Sequence, residues 1–302
     1  MKHFLILSSL IISVTCLVLP YDASNWNTIV EDPNQGFEVL DYHKRIIGGS
    51  ETADNGAPYI VALSSQGIQG TYYCGGTLIS PSVVITAAHC VFNLGGEPFP
   101  AQNITVGYGS SNRKELQTVK AISATAHPKF IMPNDIMDKV SYDIAVIRIP
   151  KLKMDEKTSY ISVYNHDIKT GDKPVAFGWG ATNADHDPKS IPEGLKSVEV
   201  TVGDVETCRK DDLSYDSPNG DQICVLNKYD PGNSSCAGDS GTGLVMRYGD
   251  CYYLAGVTSE GDSPDGPACG IKSGYVMYTN VRSHLGFIEQ ATGIDSELLL
   301  GP

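Results

Sequence analysis

Asp143-Ile144-Ala145-Val146-Ile147-Arg148-Ile149 is a strongly apolar run, rich in isoleucine and valine, with a carboxylate at its head. Residues branched at Cβ favour an extended, pleated backbone, so the run reads as a β-strand. The same texture recurs on both sides of it. Tyr59-Ile60-Val61-Ala62-Leu63, Val83-Val84-Ile85-Thr86, Val198-Glu199-Val200-Thr201-Val202 and Tyr252-Tyr253-Leu254-Ala255-Gly256-Val257 are further examples, separated by clusters of Gly, Pro, Asn or Asp. About a dozen such runs at this spacing predict an all-β barrel or sandwich. The one good helical pattern is late, over residues 281–292, where Leu285, Phe287 and Ile288 share a face. There is no internal repeat, low-complexity tract or heptad pattern.

The chain has 302 residues, enough for one large domain or two small ones with a real core. With 31 glycines and 17 prolines, turns should be frequent and long helices few. The formal net charge is −13, and such a surface repels phosphate backbones and anionic bilayers, which argues against nucleic-acid or membrane partners. Lys2 and His3 precede an apolar run over 4–19 that ends at Pro20-Tyr21-Asp22. That run is short for a membrane span, so 1–19 reads as an export signal cut within 16–23, the alternative being an uncleaved anchor. A secreted, extracellular product follows.

Eight cysteines are present, one of them, Cys16, within the signal. The remaining seven should mostly pair in an oxidising compartment, and an odd count leaves one over. None forms a CxxC pair, so a zinc ribbon is not indicated. Residues 20–45 are polar, without periodicity, and end in Lys44-Arg45 directly before Ile46-Ile47-Gly48-Gly49. On these residues alone, a cleavage point and an ordinary linker are equally good readings. A chain cut there would remain acidic.

Three short motifs carry chemistry only when taken together. Thr86-Ala87-Ala88-His89-Cys90 ends a β run in a histidine, Asp143 heads the quoted strand, and Gly238-Asp239-Ser240-Gly241 sets a serine between glycines in a turn. Singly, each has a plain structural reading: a histidine beside a cysteine, a capped strand, a common turn. A serine hydroxyl is a weak nucleophile until a neighbouring base takes its proton. Histidine has the matching pKa, and a buried aspartate fixes its tautomer. Glycine before the serine lets backbone N–H groups approach a developing oxyanion.

In the order Ile46-Ile47-Gly48-Gly49, Thr86-Ala87-Ala88-His89-Cys90, Asp143-Ile144-Ala145, Gly238-Asp239-Ser240-Gly241, the chain resembles the chymotrypsin-like serine peptidases over roughly residues 46–290. The order His, Asp, Ser separates that family from subtilisin-like enzymes and α/β-hydrolases. The resemblance implies two packed six-stranded antiparallel β-barrels with a C-terminal helix, and an active site between the barrels. It implies a 20–45 activation propeptide, a 46–293 peptidase domain and a 294–302 C-terminal tail. Ser240 would be the nucleophile, His89 the base and then the acid, and Asp143 its orienting partner. Gly238 and Ser240 would supply the oxyanion N–H groups, and Ser259 would hydrogen-bond the buried aspartate.

The family's activation implies cleavage after Arg45 by a trypsin-like protease, with the freed amine of Ile46 turning inward to pair with Asp239. Its disulfides imply Cys74–Cys90, Cys208–Cys224 and Cys236–Cys269, which leaves Cys251 as a buried free thiol or in an intermolecular bridge. Ser234 would lie at the base of the primary pocket, with Gly261 at its mouth and Val276 filling its depth. Without an aspartate at the base, preference should fall on uncharged apolar side chains of medium size. The expected partners are protein or peptide substrates, and the expected state is a monomer. No cofactor and no metal is expected, since the loop after Val106 is short and poor in carboxylates.

Two departures stand out. The family usually continues Gly-Gly-Pro after the serine, but here Gly241-Thr242-Gly243 places a Cβ at a crowded position. Glu260 stands where tryptophan is usual, either making the cleft acidic or merely facing solvent. These departures motivate a second reading, a catalytically weak homologue that acts as a secreted binding or inhibitor protein. Asn103-Ile104-Thr105 and Asn233-Ser234-Ser235 are N-glycosylation sequons, the first expected on a surface loop and the second, beside the expected pocket, expected to be unused.

Overall fold

A computed structural model describes residues 49–53, 55–68, 70–132, 140–181, 191–263 and 269–302. The segments expected as signal and propeptide, with Arg45 and Ile46, lie outside the described residues. The described chain enters through β1 (Ser50–Glu51) and then lays down β2 (Ile60–Gly67), β3 (Gly70–Ser80), β4 (Val83–Thr86), β5 (Ile104–Tyr108), β6 (Gln117–Lys120), β7 (Ser123–Ala126) and β8 (Ala145–Arg148). Strands β2 to β8 form one antiparallel sheet in the order β6-β5-β2-β3-β4-β8-β7. Its two edges are one chain run broken at Ala121-Ile122: β6 pairs with β5, and β7 pairs with β8. The break donates the Ala121 amide to Ile104 and the Ile122 amide to Arg148, so the sheet closes on itself. Counting β6 and β7 together leaves a six-stranded barrel without free edges. Val61, Leu78, Val84, Ile104, Val106 and Ile147 fill it.

The second half contributes β9 (Val175–Gly178), β10 (Lys196–Glu199), α1 (Val205–Asp211), β11 (Gln222–Leu226), β12 (Gly243–Tyr248), β13 (Cys251–Asp262) and β14 (Tyr275–Asn280). The sheet order is β1-β10-β9-β12-β13-β14-β11, with the two-residue β1 attached outside six strands. Closure comes just beyond β10, where Val202 bridges Val225 and the Gly203 amide donates to Cys224 at 2.8 Å. Val200, Ile223, Leu244 and Tyr278 are among its buried contents. A third cluster, including Tyr59, Ile85, Phe177, Leu254 and Val257, draws on both barrels and is the apolar seam between them.

The late helical pattern is present but begins more tightly than expected. Residues Val281–His284 form a 3₁₀ turn, and only α2 (Leu285–Thr292) is α-helical, with Phe287 and Ile288 buried. Gly293, at φ 68°, ends it in the left-handed conformation that favours glycine. A helix not foreseen from periodicity is α1. It is a short, mostly polar turn started by Asp204, whose carboxylate accepts the Thr207 amide at 2.8 Å.

Residues 294–302, expected only as a tail, dock on the seam. The short α3 (Ser296–Leu299) buries Leu299, and the Val163 amide donates to the Leu299 carbonyl at 2.7 Å. Gly301 then donates to Val163 at 2.8 Å.

All three implied disulfides are formed, Cys74–Cys90, Cys208–Cys224 and Cys236–Cys269. The expectation of a free thiol at Cys251 is corrected: Cys251 is in a disulfide whose partner lies outside the described residues. Among the described residues no helix is long and apolar enough to cross a membrane.

Because Leu299 is the main apolar anchor of the C-terminal segment, Leu299→Ala should cost about 2–5 kcal/mol of stability. Urea unfolding should show a lower midpoint with an unchanged slope.

Candidate active site

Strand register brings the distant motifs to one edge. Thr86 lies opposite Ala145 in the β4–β8 pair. His89, three residues past Thr86, and Asp143, two residues before Ala145, therefore emerge at the same end of the first barrel. His89 sits on the 3₁₀ turn Ala88–Val91, which the Cys74–Cys90 bridge ties to β3.

Asp143 is buried to 1% exposure and accepts every nearby donor. Its Oδ2 takes the His89 Nδ1–H at 2.8 Å and the Ser259 hydroxyl at 2.6 Å, while Oδ1 takes the His89 amide at 2.9 Å. Ser259 reaches it because β13 carries a bulge: Thr258 pairs with Tyr278 and Glu260 with Met277, leaving Ser259 as the extra residue. A bulge re-aims the side chain it carries, here across the seam between the barrels. Thr279 of β14 adds a hydroxyl on the Asp143 carbonyl at 2.9 Å.

The chain enters Asp143 through Tyr142, at φ 56° the only described non-glycine residue in the left-handed region. Its ring stacks on His127 at 4.9 Å, and its amide donates to Asp221 at 3.3 Å. Tyr142, Thr258 and Thr279 belong to the site and went unread in the sequence, because their contacts are non-local.

Charge follows from this geometry. Burial acts to raise the Asp143 carboxyl, but the charge and hydrogen bonds of His89 and the Ser259 hydroxyl outweigh it and hold Asp143 below the usual carboxylate range. For His89, burial acts to lower the imidazole. The charge and hydrogen bond of Asp143 outweigh it, with Glu260 adding to them, and the net shift is upward. With the Nδ1 proton held by an acceptor, the neutral ring exposes its Nε2 lone pair. Nε2 lies 3.6 Å from Cys90 Sγ, and among the described residues no hydrogen bond joins it to Ser240. Cys74, His89 and Cys90 cluster closely enough to suggest a metal centre, but the two sulfurs are bonded to each other and are not thiolates.

Ser240 is partly exposed on the turn between Cys236 and β12. Its carbonyl accepts the Gly75 amide at 2.7 Å, and the Gly241 amide donates to Thr258 at 2.8 Å. Gly238, at φ 95°, adopts backbone that other residues rarely reach. The amides of Gly238 and Ser240 donate to no acceptor among the described residues.

Between them Asp239 is fully buried, with its carboxylate accepting the amides of Gly180 at 2.7 Å and Cys236 at 2.8 Å. Burial pushes its pKa up to about 7, against the pull of those two amides. Gly178 and Gly180 allow the approach, since a Cβ on either would overlap the carboxylate.

Ser234 is buried with its hydroxyl on the Ser235 carbonyl at 2.8 Å, and the Ser235 hydroxyl meets Tyr278 OH at 2.9 Å. Val276 is buried opposite Gly261, which is exposed. The Cys236–Cys269 bridge packs with Ala181 beside this region. Glu260 is partly buried rather than merely solvated, and it sits near enough to act on His89. Thr242 also differs from expectation. It is fully buried without a clash, its methyl lying where Gly75 has no Cβ.

Because Glu260 adds to the upward shift of His89, Glu260→Gln should lower the pH at which the imidazole gains its proton. Activity that needs the neutral ring should then persist further into acid, read as a shift of the acidic limb of a pH–rate profile. An unchanged limb would contradict that electrostatic role.

Comparison with known proteins agrees with this arrangement. The family model described as Trypsin matches residues 46–288. The chain is 30% identical over 268 residues to serine protease 1 of Drosophila melanogaster, covering 85% of this chain and 89% of that protein. It is 32% identical over 248 residues to hypodermin-A of Hypoderma lineatum, covering 79% and 85%. It is 30% identical over 255 residues to brachyurin of Leptuca pugilator, covering 82% and 99%. The chain belongs to the trypsin family and is a serine-type endopeptidase.

Proposed function

We propose that this endopeptidase is secreted as a zymogen and hydrolyses peptide bonds through Ser240, His89 and Asp143. The observation that carries the assignment is the satisfied Asp143 carboxylate, which holds the Nδ1 proton of His89 and leaves Nε2 as the base. In the reaction, Ser240 Oγ attacks the scissile carbonyl carbon while Nε2 takes the hydroxyl proton. The oxyanion is received by the Gly238 and Ser240 amides. Collapse breaks the C–N bond, with His89 returning the proton to the leaving amine, and water repeats the sequence on the acyl-enzyme. The Ser240–His89 hydrogen bond forms in the Michaelis complex, where catalytic hydrogen bonds reach their working geometry.

Gating rests on Asp239. A buried carboxyl held near 7 by desolvation and without a cation among its described neighbours is a site for an ammonium group. Cleavage after Arg45 by a trypsin-like protease supplies one, the amine of Ile46, and pairing fixes the turn that carries Gly238 and Ser240. The buried Ser234 and Val276 support a preference for uncharged, medium-sized apolar residues in protein or peptide substrates. Export to the extracellular space is supported by the disulfides and by the leader-like 1–19 segment.

Fluorophosphonate labelling tests the assignment on intact protein, protein nicked after Arg45, and a nicked Ser240→Ala variant. Labelling should appear on nicking and vanish in the variant. No labelling of folded, nicked protein would overturn the assigned nucleophile. In a peptide library, dominant cleavage after Arg or Lys would contradict the proposed pocket.

Asp239 also makes a stability prediction for the uncut chain. Folding raises this carboxyl from 3.8 to about 7, so the folded chain retains a proton that the unfolded chain releases. Its contribution is fully present below pH 3.8 and is lost as pH rises through about 7. Urea midpoints of the uncut protein should therefore fall between pH 5 and 8 more steeply than those of Asp239→Asn. Parallel profiles would contradict an unpaired Asp239.

A further inference from the structure

Thr242 follows the nucleophile turn at a position where a Cβ was expected only to crowd. It is fully buried, and its hydroxyl donates to the Asp239 carbonyl at 2.5 Å, an oxygen that also accepts the Thr242 amide at 3.0 Å. That carbonyl belongs to the peptide unit joining Asp239 to Ser240. A peptide unit is planar and trans, so its C=O and its N–H point in opposite directions from one rigid plate. Holding the Asp239 oxygen with two donors on one side therefore aims the Ser240 N–H on the other. That N–H is one of the two amides assigned above to the oxyanion.

The threonine is itself held. Thr258 of β13 donates its amide at 2.9 Å and its hydroxyl at 3.0 Å to the Thr242 carbonyl, and the two hydroxyl oxygens lie 3.2 Å apart. On its other side a Cβ at Gly75 would fall 2.0 Å from Thr242 Cγ2, so the methyl occupies space that only glycine leaves open. Gly75 in turn donates its amide to the Ser240 carbonyl, the next oxygen along the turn.

We propose that Thr242 is a positioning residue of this peptidase: its hydroxyl fixes the Asp239–Ser240 peptide plane and so the direction of the Ser240 oxyanion donor. The inference rests on the assignment of Ser240 and its amide under the proposed function. Thr242 touches no reacting atom. Its effect falls on the transition state, where the oxygen moves out toward the donor, and not on substrate binding.

The test compares Thr242→Val, which keeps the shape and loses the donor, with Thr242→Ser, which keeps the donor and loses the methyl. Thr242→Ala serves if the valine variant does not fold. Losing an oxyanion donor outright lowers kcat by about 10²–10³, so misaiming one should lower it by roughly tenfold. In nicked protein, Thr242→Val should lose that factor in kcat with KM within about twofold. Affinity for a peptide aldehyde, which forms the tetrahedral oxyanion, should fall by a similar factor. Affinity for the corresponding cleavage-product peptide should not change. Thr242→Ser should restore kcat to within about twofold of the parent.

Equal loss in the serine and valine variants would mean that the methyl's packing matters and would overturn the proposal. So would a valine or alanine variant with the parent's kcat and aldehyde affinity. A parent that neither labels with fluorophosphonate nor hydrolyses peptide after nicking would instead overturn the assignment of Ser240, and this inference with it. Activity in the parent keeps the two failures separate.

Discussion

A carboxylate excluded from water is stable only if donors surround it, and the buried Asp143 sets that requirement at the centre of this molecule. Its three side-chain hydrogen bonds come from both barrels, His89 from the first and Ser259 from the second. Thr279 extends the junction to its backbone. The barrels are therefore joined by apolar packing along the seam and, at one end of it, by a saturated polar knot. In the proposed reaction that knot is where the base is oriented. Fold and chemistry depend on the same contacts, since separating the barrels would leave the aspartate short of donors and the imidazole without its orienting partner.

The turn bearing Ser240 is organised by a comparable economy of donors. Five of its groups are tied down: the Asp239 amide by Cys236, the Asp239 carboxylate by Gly180 and Cys236, the Asp239 carbonyl by Thr242, the Ser240 carbonyl by Gly75, and the Gly241 amide by Thr258. The amides of Gly238 and Ser240 are left without a described acceptor. Amides left without an acceptor beside tied neighbours are available to a developing oxyanion in the proposed reaction. Asp239 is the weak point of the arrangement, because two amides do not fully offset its burial. In the proposed activation, that deficit couples cleavage after Arg45 to the geometry of the site.

Much of this was legible in the sequence where the information is local. The strand Val83-Val84-Ile85-Thr86 has the bounds read from its β-branched residues, and the late helix is present, tightened at its start into a 3₁₀ turn. The three motifs bearing His89, Asp143 and the Ser240 turn were recognisable because each is short and their order is distinctive. What escaped was non-local or short. Helix α1 is a capped, polar seven-residue turn with no apolar stripe to reveal it. The left-handed Tyr142 is held by His127 and Asp221 from elsewhere in the chain, and closure of the first barrel depends on one run serving both edges of its sheet. Thr242 looked obstructive for the same reason: its complement, the missing side chain at Gly75, lies on a strand of the other barrel.

The central claim is that Asp143 holds the proton on His89 Nδ1 and raises the basicity of the ring. The most direct measurement is NMR titration of the His89 ring nitrogens and the Nδ1 proton, in the folded protein and in Asp143→Asn. The account predicts a proton on Nδ1 in the neutral ring and a midpoint above the ordinary histidine value, with the midpoint falling in the variant. A neutral ring carrying its proton on Nε2, or a midpoint indifferent to Asp143, would contradict it.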